Sequence, residues 1–355
     1  PLSDVLRKNP SFSAEEPLAF GERVRVPEPG FRAWLAARLS AEVLVAPDLP
    51  FSAHPRRCPI TGALYNFGLA ATGTRSRLCL YRSDARGAWA APDFIDLPGG
   101  YFIHDFVLTA RHRIFFLTPA AFDLPKTLLG LASPIETFHA LPGPTRILIV
   151  DRNSTAHRSV DAAPCFIFHF PNGYEADDGT LVVDGFRMAS FPTATGVDMS
   201  GQTTTFPKPF LTRYRISPAG AVEETRLSEH AGELGGINPA YNARRHRFAY
   251  MIAAPVGFKL PFHTGLAKVD CDAGTTWYRE FGPHLVGEPV FVARPGAAAE
   301  DDGWLLSLQY IDEARACDLV VLDARDLSTV CRARLPHSTP LGFHGVFVPS
   351  EQLIA

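Results

Sequence analysis

The chain has 355 residues, 46% of them hydrophobic, and a formal net charge of −3, which gives material for a large core and no electrostatic basis for gripping nucleic acid. Its 28 glycines and 31 prolines fall between short runs rich in Val, Ile, Phe and Tyr, a pattern that favours one large β domain over a string of helical ones. Six cysteines without a CxxC pair exclude a small zinc module and fit reduced thiols in a cytoplasmic protein, and no apolar run reaches the ~18 residues of a membrane-spanning helix.

The first residues, PLSDVLRKNP, lack the apolar core of a signal peptide. Residues 1–49 read as a divergent N-terminal segment, in which the spacing of apolar residues predicts a helix over Gly30–Leu44. A β domain is expected from residue 50 to 355. It opens with PFSAHPRRCPITGALYNFG, a strand end, a Pro-x-x-Gly turn and a new strand. LCLYRSD and WAAPDFIDLP predict a hairpin, and GGYFIHDFVLTARHRIFFLTP two strands, with His104 in the first.

Residues 121–142, AFDLPKTLLGLASPIETFHALP, interrupt the pattern with a stretch too broken by proline for a strand, expected as an insertion on a sheet edge. Strands resume at RILIVDR, at CFIFHFPNGYE with His169, and at TLVVDGFRMASF; a polar loop follows, then LTRYRIS, RHRFAYMIA, LAKVDCD, EPVFVARP, GWLLSLQYI and CDLVVLDARD. An acidic-acidic-glycine turn precedes an apolar strand twice, in ADDGTLVV and EDDGWLLS. Repeated antiparallel hairpins of this kind predict a β-propeller, with a two-sheet sandwich as the alternative.

Of the 12 histidines, His112, His157, His246 and His337 sit beside arginines or in polar turns and are expected in solvent. His54, His104, His169 and His344 differ. Each lies at or near the end of an apolar strand, in SAHP, IHDF, FHFPN and GFHG. In a propeller, strands from different blades converge on one axis, so distant segments can each supply an inward imidazole. Nitrogen-only ligation suits iron, copper or zinc, and imidazole alone does not choose among them.

In order, the fragments HP, YFIHDF, FIFHFPNGYEADDG, EPVFVARPGAAAEDDGWLL, LDARDL and LPHSTPLGFHG resemble the carotenoid cleavage oxygenase family, which includes the retinal-pigment-epithelium isomerohydrolase and the stilbene-cleaving oxygenases. The likeness covers roughly residues 20 to 350, is most specific from Glu288 to Gly345, and is closest in character to the bacterial apocarotenoid-cleaving members. It implies a seven-bladed β-propeller with one Fe(II) per chain, held by His54, His104, His169 and His344. It also implies glutamates that accept hydrogen bonds from three of these imidazoles, matched here by Glu233 in HAGELGGINPAY, Glu288 in EPVF and Glu22 in LAFGERVRVP. Physical chemistry agrees: neutral imidazoles leave the ion's charge uncompensated in an apolar interior unless carboxylates stand one shell out, where they also fix the ring tautomer.

The activity implied is the cleavage by O2 of a conjugated double bond in a carotenoid or apocarotenoid to give two aldehydes. A polyene offers no acid or base handle, so an apolar tunnel must position it, and Phe102, Phe106, Phe170, Phe262 and Phe343 are candidates for its lining. The leucine-rich insertion resembles the family's membrane patch, with Leu124, Leu128, Leu129 and Leu131 expected to dip into a bilayer and make a cytoplasmic protein peripherally membrane-associated. Three departures stand out. Arg-Val-Arg follows Glu22 where the family usually has glycines. Leu-Gly-Gly follows Glu233 where the family usually has Phe-Pro-Arg. The family's chains also carry more sequence before the HP motif, so the propeller is expected to lack part of its N-terminal blades and to hold iron poorly unless residues 1–49 repack. A stilbene-cleaving oxygenase, a catalytically inert propeller or fragment, and a zinc hydrolase are the alternatives.

Overall fold

A computed structural model describes residues 49–71, 75–122, 126, 138–191, 207–257, 263–311, 316–337 and 339–348, all within the compact unit that begins at Leu49. The helix expected over Gly30–Leu44, Glu22, the four patch leucines and Phe262 lie outside the described residues. Strands dominate. Among the described residues helix is confined to a 3-10 turn at Pro239–Tyr241 and to Lys126, so the fold is all-β.

The strands form antiparallel meanders in which sequence neighbours pair. The first sheet runs Arg56–Arg57, Leu64–Ala71, Ser76–Arg82, Asp93–Leu97, confirming the expected hairpin. The second is built on His112–Phe122, Thr145–Asp151 and His157–Ala162. A third, of eight strands, includes Leu181–Met188, Phe210–Ile216, Val222–Gly236, Phe248–Ala253, Gly265–Asp270 and Thr275–Glu280. Its longest member, the 15-residue Val222–Gly236, pairs with Phe210–Ile216 through its first half and with Phe248–Ala253 through its last residues. The sheet is therefore two meanders sharing one strand. The last sheet runs through Gly303–Ile311, Ala316–Asp323 and Thr329–Arg334.

Side-chain alternation explains how the sheets stack. Successive residues of a strand point to opposite faces, and in His112–Phe122 the even and odd positions serve different cores. Phe115 and Leu117 join Tyr65, Phe67, Leu78 and Leu80 of the first sheet, while Ile114 and Phe116 join Leu181, Val183, Tyr214 and Ile216 of the third. The same division repeats later: Phe186 and Leu211 pack on Met251 and Val269, and Tyr250, Ile252 and Leu266 pack on Leu305, Val320 and Leu322. Phe248–Ala253 and Gly265–Asp270 are consequently buried at every residue. Each fully buried large apolar side chain contributes about 1.5 to 3 kcal/mol, so these shared cores lock each meander to the next in chain order.

The edge strand at the start of the second, third and last sheets is broken. Tyr101–Phe102 and Val107–Leu108 both pair with His112–Phe122, Phe166–Ile167 and Asn172–Glu175 both pair with Leu181–Met188, and Leu285–Val286 and Val290–Ala293 both pair with Gly303–Ile311. An edge strand satisfies a ladder on one side only, so it tolerates such an interruption. His104 therefore lies in a break between two short strands, not within a strand as its apolar setting predicts.

Within the stretch 121–142, the described residues Phe138–Ala140 pair antiparallel with Ala120–Phe122 at the end of His112–Phe122. All six cysteines are free thiols. Among the described residues no helix is long and apolar enough to cross a membrane.

Candidate metal centre

Two of the four candidate ligands lie in breaks of the edge strands, and the other two in extended segments outside the strands. His54 lies just before the first strand, His104 and His169 in the interruptions of the second and third sheets, and His344 in an extended segment after the last strand. Ligand atoms of all four lie within 4.8 Å of one another. His54 Nε2 stands 3.1 Å from His104 Nε2, and His344 Nε2 stands 3.0 Å from His169 Nε2.

Both separations are compatible with imidazole nitrogens that share one first-row metal at about 2.1 Å. The hydrogen bonds of the far ring nitrogens bear on the tautomers. His169 Nδ1 donates to Glu233 Oε2 at 2.6 Å and His344 Nδ1 to Glu288 Oε1 at 3.2 Å, which leaves a lone pair on each Nε2. Two lone pairs facing each other at 3.0 Å repel unless a proton or a metal cation lies between them.

Both carboxylates are themselves fixed. Glu288 Oε2 accepts from Gly345 N at 2.8 Å, so one side chain orients the His344 ring and holds the segment that bears it. That segment is also tied by Gly342 N to Tyr310 Oη at 3.0 Å. Glu233 Oε2 accepts a second bond from Leu234 N at 2.7 Å. Leu234 has φ 46°, and the register of its strand slips between Glu233 and Gly236. The Leu-Gly-Gly departure is thus a β-bulge, which re-aims Glu233 toward the imidazole. Gly235 is required there, because a Cβ would stand 2.3 Å from the Tyr250 carbonyl oxygen.

Burial favours the neutral form at two of the four imidazoles. Burial, reinforced by the neighbouring imidazoles, lowers both His54 and His104 to about 4, so both offer lone pairs at neutral pH. In His169 burial also lowers the value, but the Glu233 carboxylate outweighs it and the net direction is upward. The site is buried at His169 and open at His344, whose side chain is 35% exposed. There it meets a cavity of about 230 Å³ bordered by Val290, Leu306, Tyr310, Phe343 and Phe347.

Of the predicted lining residues, Phe102 lies parallel to the His104 ring at 6.4 Å, and Phe343 is 75% exposed at the cavity. Phe106 and Phe170 instead belong to the inter-sheet cores, against Phe115 and Phe116. The aromatic neighbour that sequence reasoning missed is Phe168, edge-on to His104 at 5.3 Å and packed on Phe166 and Phe191. His112 is half-buried on Glu175, while His157 and His337 are exposed as expected.

His246 corrects the expectation of a solvent residue. It is 1% exposed, with Nδ1 at 2.9 Å from Asn172 Nδ2 and Nε2 at 2.9 Å from Asp184 Oδ2. Asp184, His246 and Cys271 form a second cluster of metal-type donors. The Arg213 guanidinium takes both Asp184 oxygens at 2.8 Å each, so this cluster is a buried ion-pair network and not a cation site.

The profile of the family described as retinal pigment epithelial membrane protein matches residues 35–349. The apocarotenoid-15,15'-oxygenase of Synechocystis is 32% identical over 318 residues, which span 85% of this chain and 64% of that protein. A carotenoid cleavage oxygenase of Mycobacterium tuberculosis is 28% identical across 84% of this chain and 68% of its own length. Among solved structures, the cobalt-substituted Synechocystis enzyme superposes with a TM-score of 0.77 at 30% identity, covering 85% of this chain and 66% of that one. The chain thus spans about two-thirds of the length of these relatives.

Proposed function

Because the chain belongs to the retinal pigment epithelial membrane protein family, whose members similar to it include named carotenoid and apocarotenoid oxygenases, we propose that it is a non-haem iron(II) dioxygenase. The reaction cuts a conjugated double bond of a carotenoid or apocarotenoid, R–CH=CH–R′ + O2 giving R–CHO and R′–CHO. The observation that carries this reading is the convergence of His54, His104, His169 and His344 at spacings of 3.0 and 3.1 Å, with carboxylates on the far nitrogens of two rings.

Bound iron(II) supplies the redox chemistry that O2 requires. The protein's residues do the rest. His54, His104, His169 and His344 would hold the ion through their imidazole nitrogens, a donor set suited to iron. Glu233 and Glu288 offset its charge and keep the rings from turning, and Glu22 is proposed for the same task at His104. Phe102, Phe168 and Phe191 keep water from the side of His104 and suit an apolar polyene that has to be positioned by shape alone. The four-stranded meanders, stacked face to face in chain order, support a radial set of blades, which we read as part of a seven-bladed propeller. The leucine-rich stretch 121–142 supports delivery of an insoluble substrate from a membrane surface by a peripherally attached, cytoplasmic protein.

The test is aerobic incubation of the iron-loaded chain with a panel of apocarotenals and with hydroxylated stilbenes, scoring carbonyl products by mass. Two aldehydes from an apocarotenal, lost in His344→Ala, are expected. Cleavage of stilbenes alone would move the substrate assignment, and no oxygen-dependent product from either class would remove the dioxygenase reading.

A further inference from the structure

Three of the four candidate ligands sit on segments that meet at one buried ion pair. Arg56 lies two residues after His54, Asp105 directly follows His104, and Phe170 directly follows His169. The Arg56 Nη2 group donates to Asp105 Oδ2 in a short ion pair and to the Phe170 carbonyl oxygen at 2.8 Å. Asp105 Oδ2 also accepts from Phe170 N at 3.0 Å, and Oδ1 from Phe106 N at 2.7 Å. Residue 170 is therefore caught at both its N–H and its C=O, one position from His169. The Asp105 side chain is 1% exposed and that of Arg56 20%.

We propose that Asp105 and Arg56 are the positioning residues of the metal centre: a single carboxylate and guanidinium that set the His54, His104 and His169 segments against one another. The inference rests on the metal-centre reading above. Each ligand stands in a backbone irregularity, where no strand ladder fixes the direction of its side chain. A hydrogen-bonded cross-link between the three irregularities supplies the constraint that the ladder does not. It needs a charged carboxylate, because one oxygen serves both Arg56 and the Phe170 amide while the other serves Phe106. An amide in its place offers a single acceptor and turns an N–H toward Arg56 or Phe106. A fixed first shell matters, because ligands left free to reorient lower metal affinity even when all of them remain present.

The experiment compares the whole chain with Asp105→Asn, Arg56→Gln and Arg56→Lys, using Co(II) as the probe. Chelator competition gives the dissociation constant, the visible absorption of bound Co(II) reports ligand geometry, and urea unfolding of the metal-free protein records stability separately. Co(II) binding about 10 to 100-fold weaker, with an altered visible spectrum, is expected in Asp105→Asn and Arg56→Gln. Arg56→Lys keeps a cation able to reach Asp105, and should recover most of the affinity and the wild-type spectrum. Variants that bind Co(II) with wild-type affinity and spectrum, whatever their unfolding midpoints, overturn the proposal by making the pair a structural link only. Should Asp105→Asn fail to fold, the comparison of Arg56→Gln with Arg56→Lys decides on the same criteria. A wild-type chain that takes up no Co(II) overturns the metal-centre reading itself, and the proposal with it.

Discussion

Glu288 shows how much one side chain is asked to do at this site. Its two oxygens hold the His344 ring and the Gly345 amide, and no strand supports that segment. Glu288→Gln keeps the size but removes the charge and presents an N–H to one of two donors. Iron retention is expected to fall about 10 to 100-fold, measured by chelator competition; an unchanged dissociation constant would show that the carboxylate only packs the segment. The four histidines and this glutamate were legible because apolar neighbours made them conspicuous and their order matched a family. Arg56 and Asp105 were not, since nothing in HPRR or HDF marks the two as partners until the backbone brings them together. His246 was misread for a related reason. Arg244, Arg245 and Arg247 around it are exposed while it alone turns inward, and in irregular backbone the polarity of neighbours does not tell which way a single residue faces.

At the level of elements, the interrupted edge strands must be held close without a ladder between them. A Cβ on Gly173 would come 2.3 Å from Val107 Cγ1, which measures how tightly the edges of the second and third sheets approach. Glu175, at the end of the same edge strand, pins that approach. It accepts from Thr109 Oγ1 at 2.7 Å, the Arg111 amide at 2.8 Å and His112 Nδ1 at 3.0 Å. Burial by itself raises its pKa, but these bonds outweigh it and bring the carboxyl down to about 2. A folded-state value below the unfolded one means that the stabilisation is fully present above about 4.5 and disappears as the pH falls toward 2. Glu175→Gln is expected to cost about 1 to 3 kcal/mol at pH 7 and much less at pH 3, by urea unfolding. Parallel losses at both pH values would refute the pin. The hairpins and the acidic-glycine turns were legible from alternation and turn chemistry. The breaks were not, because a run such as YFIHDFVL is apolar on both sides of the interruption and nothing local marks where the ladder stops.

On the scale of the whole molecule, the candidate ligands come from positions 54, 104, 169 and 344, spread over nearly the entire described unit. The stacking that brings them together depends on cores shared between successive sheets, which the sequence signalled as alternating apolar strands but could not assign to particular partners. An unfolded chain cannot gather these four imidazoles without closing very long loops, so a metal that needs all four binds the native state and not the unfolded one. Binding to the native state alone stabilises it by about 2.7 kcal/mol at a free metal concentration 100 times the dissociation constant. For a chain of this size that corresponds to a rise on the order of 5 °C in unfolding temperature. Stripping the protein with a chelator and then restoring Fe(II) under anaerobic conditions, followed by calorimetry, should lower and then recover the transition. His169→Ala, which removes the most buried ligand, should abolish the response to metal. If the wild-type transition ignores both chelator and Fe(II), or if His169→Ala responds as the wild type does, then the four histidines do not hold a metal together.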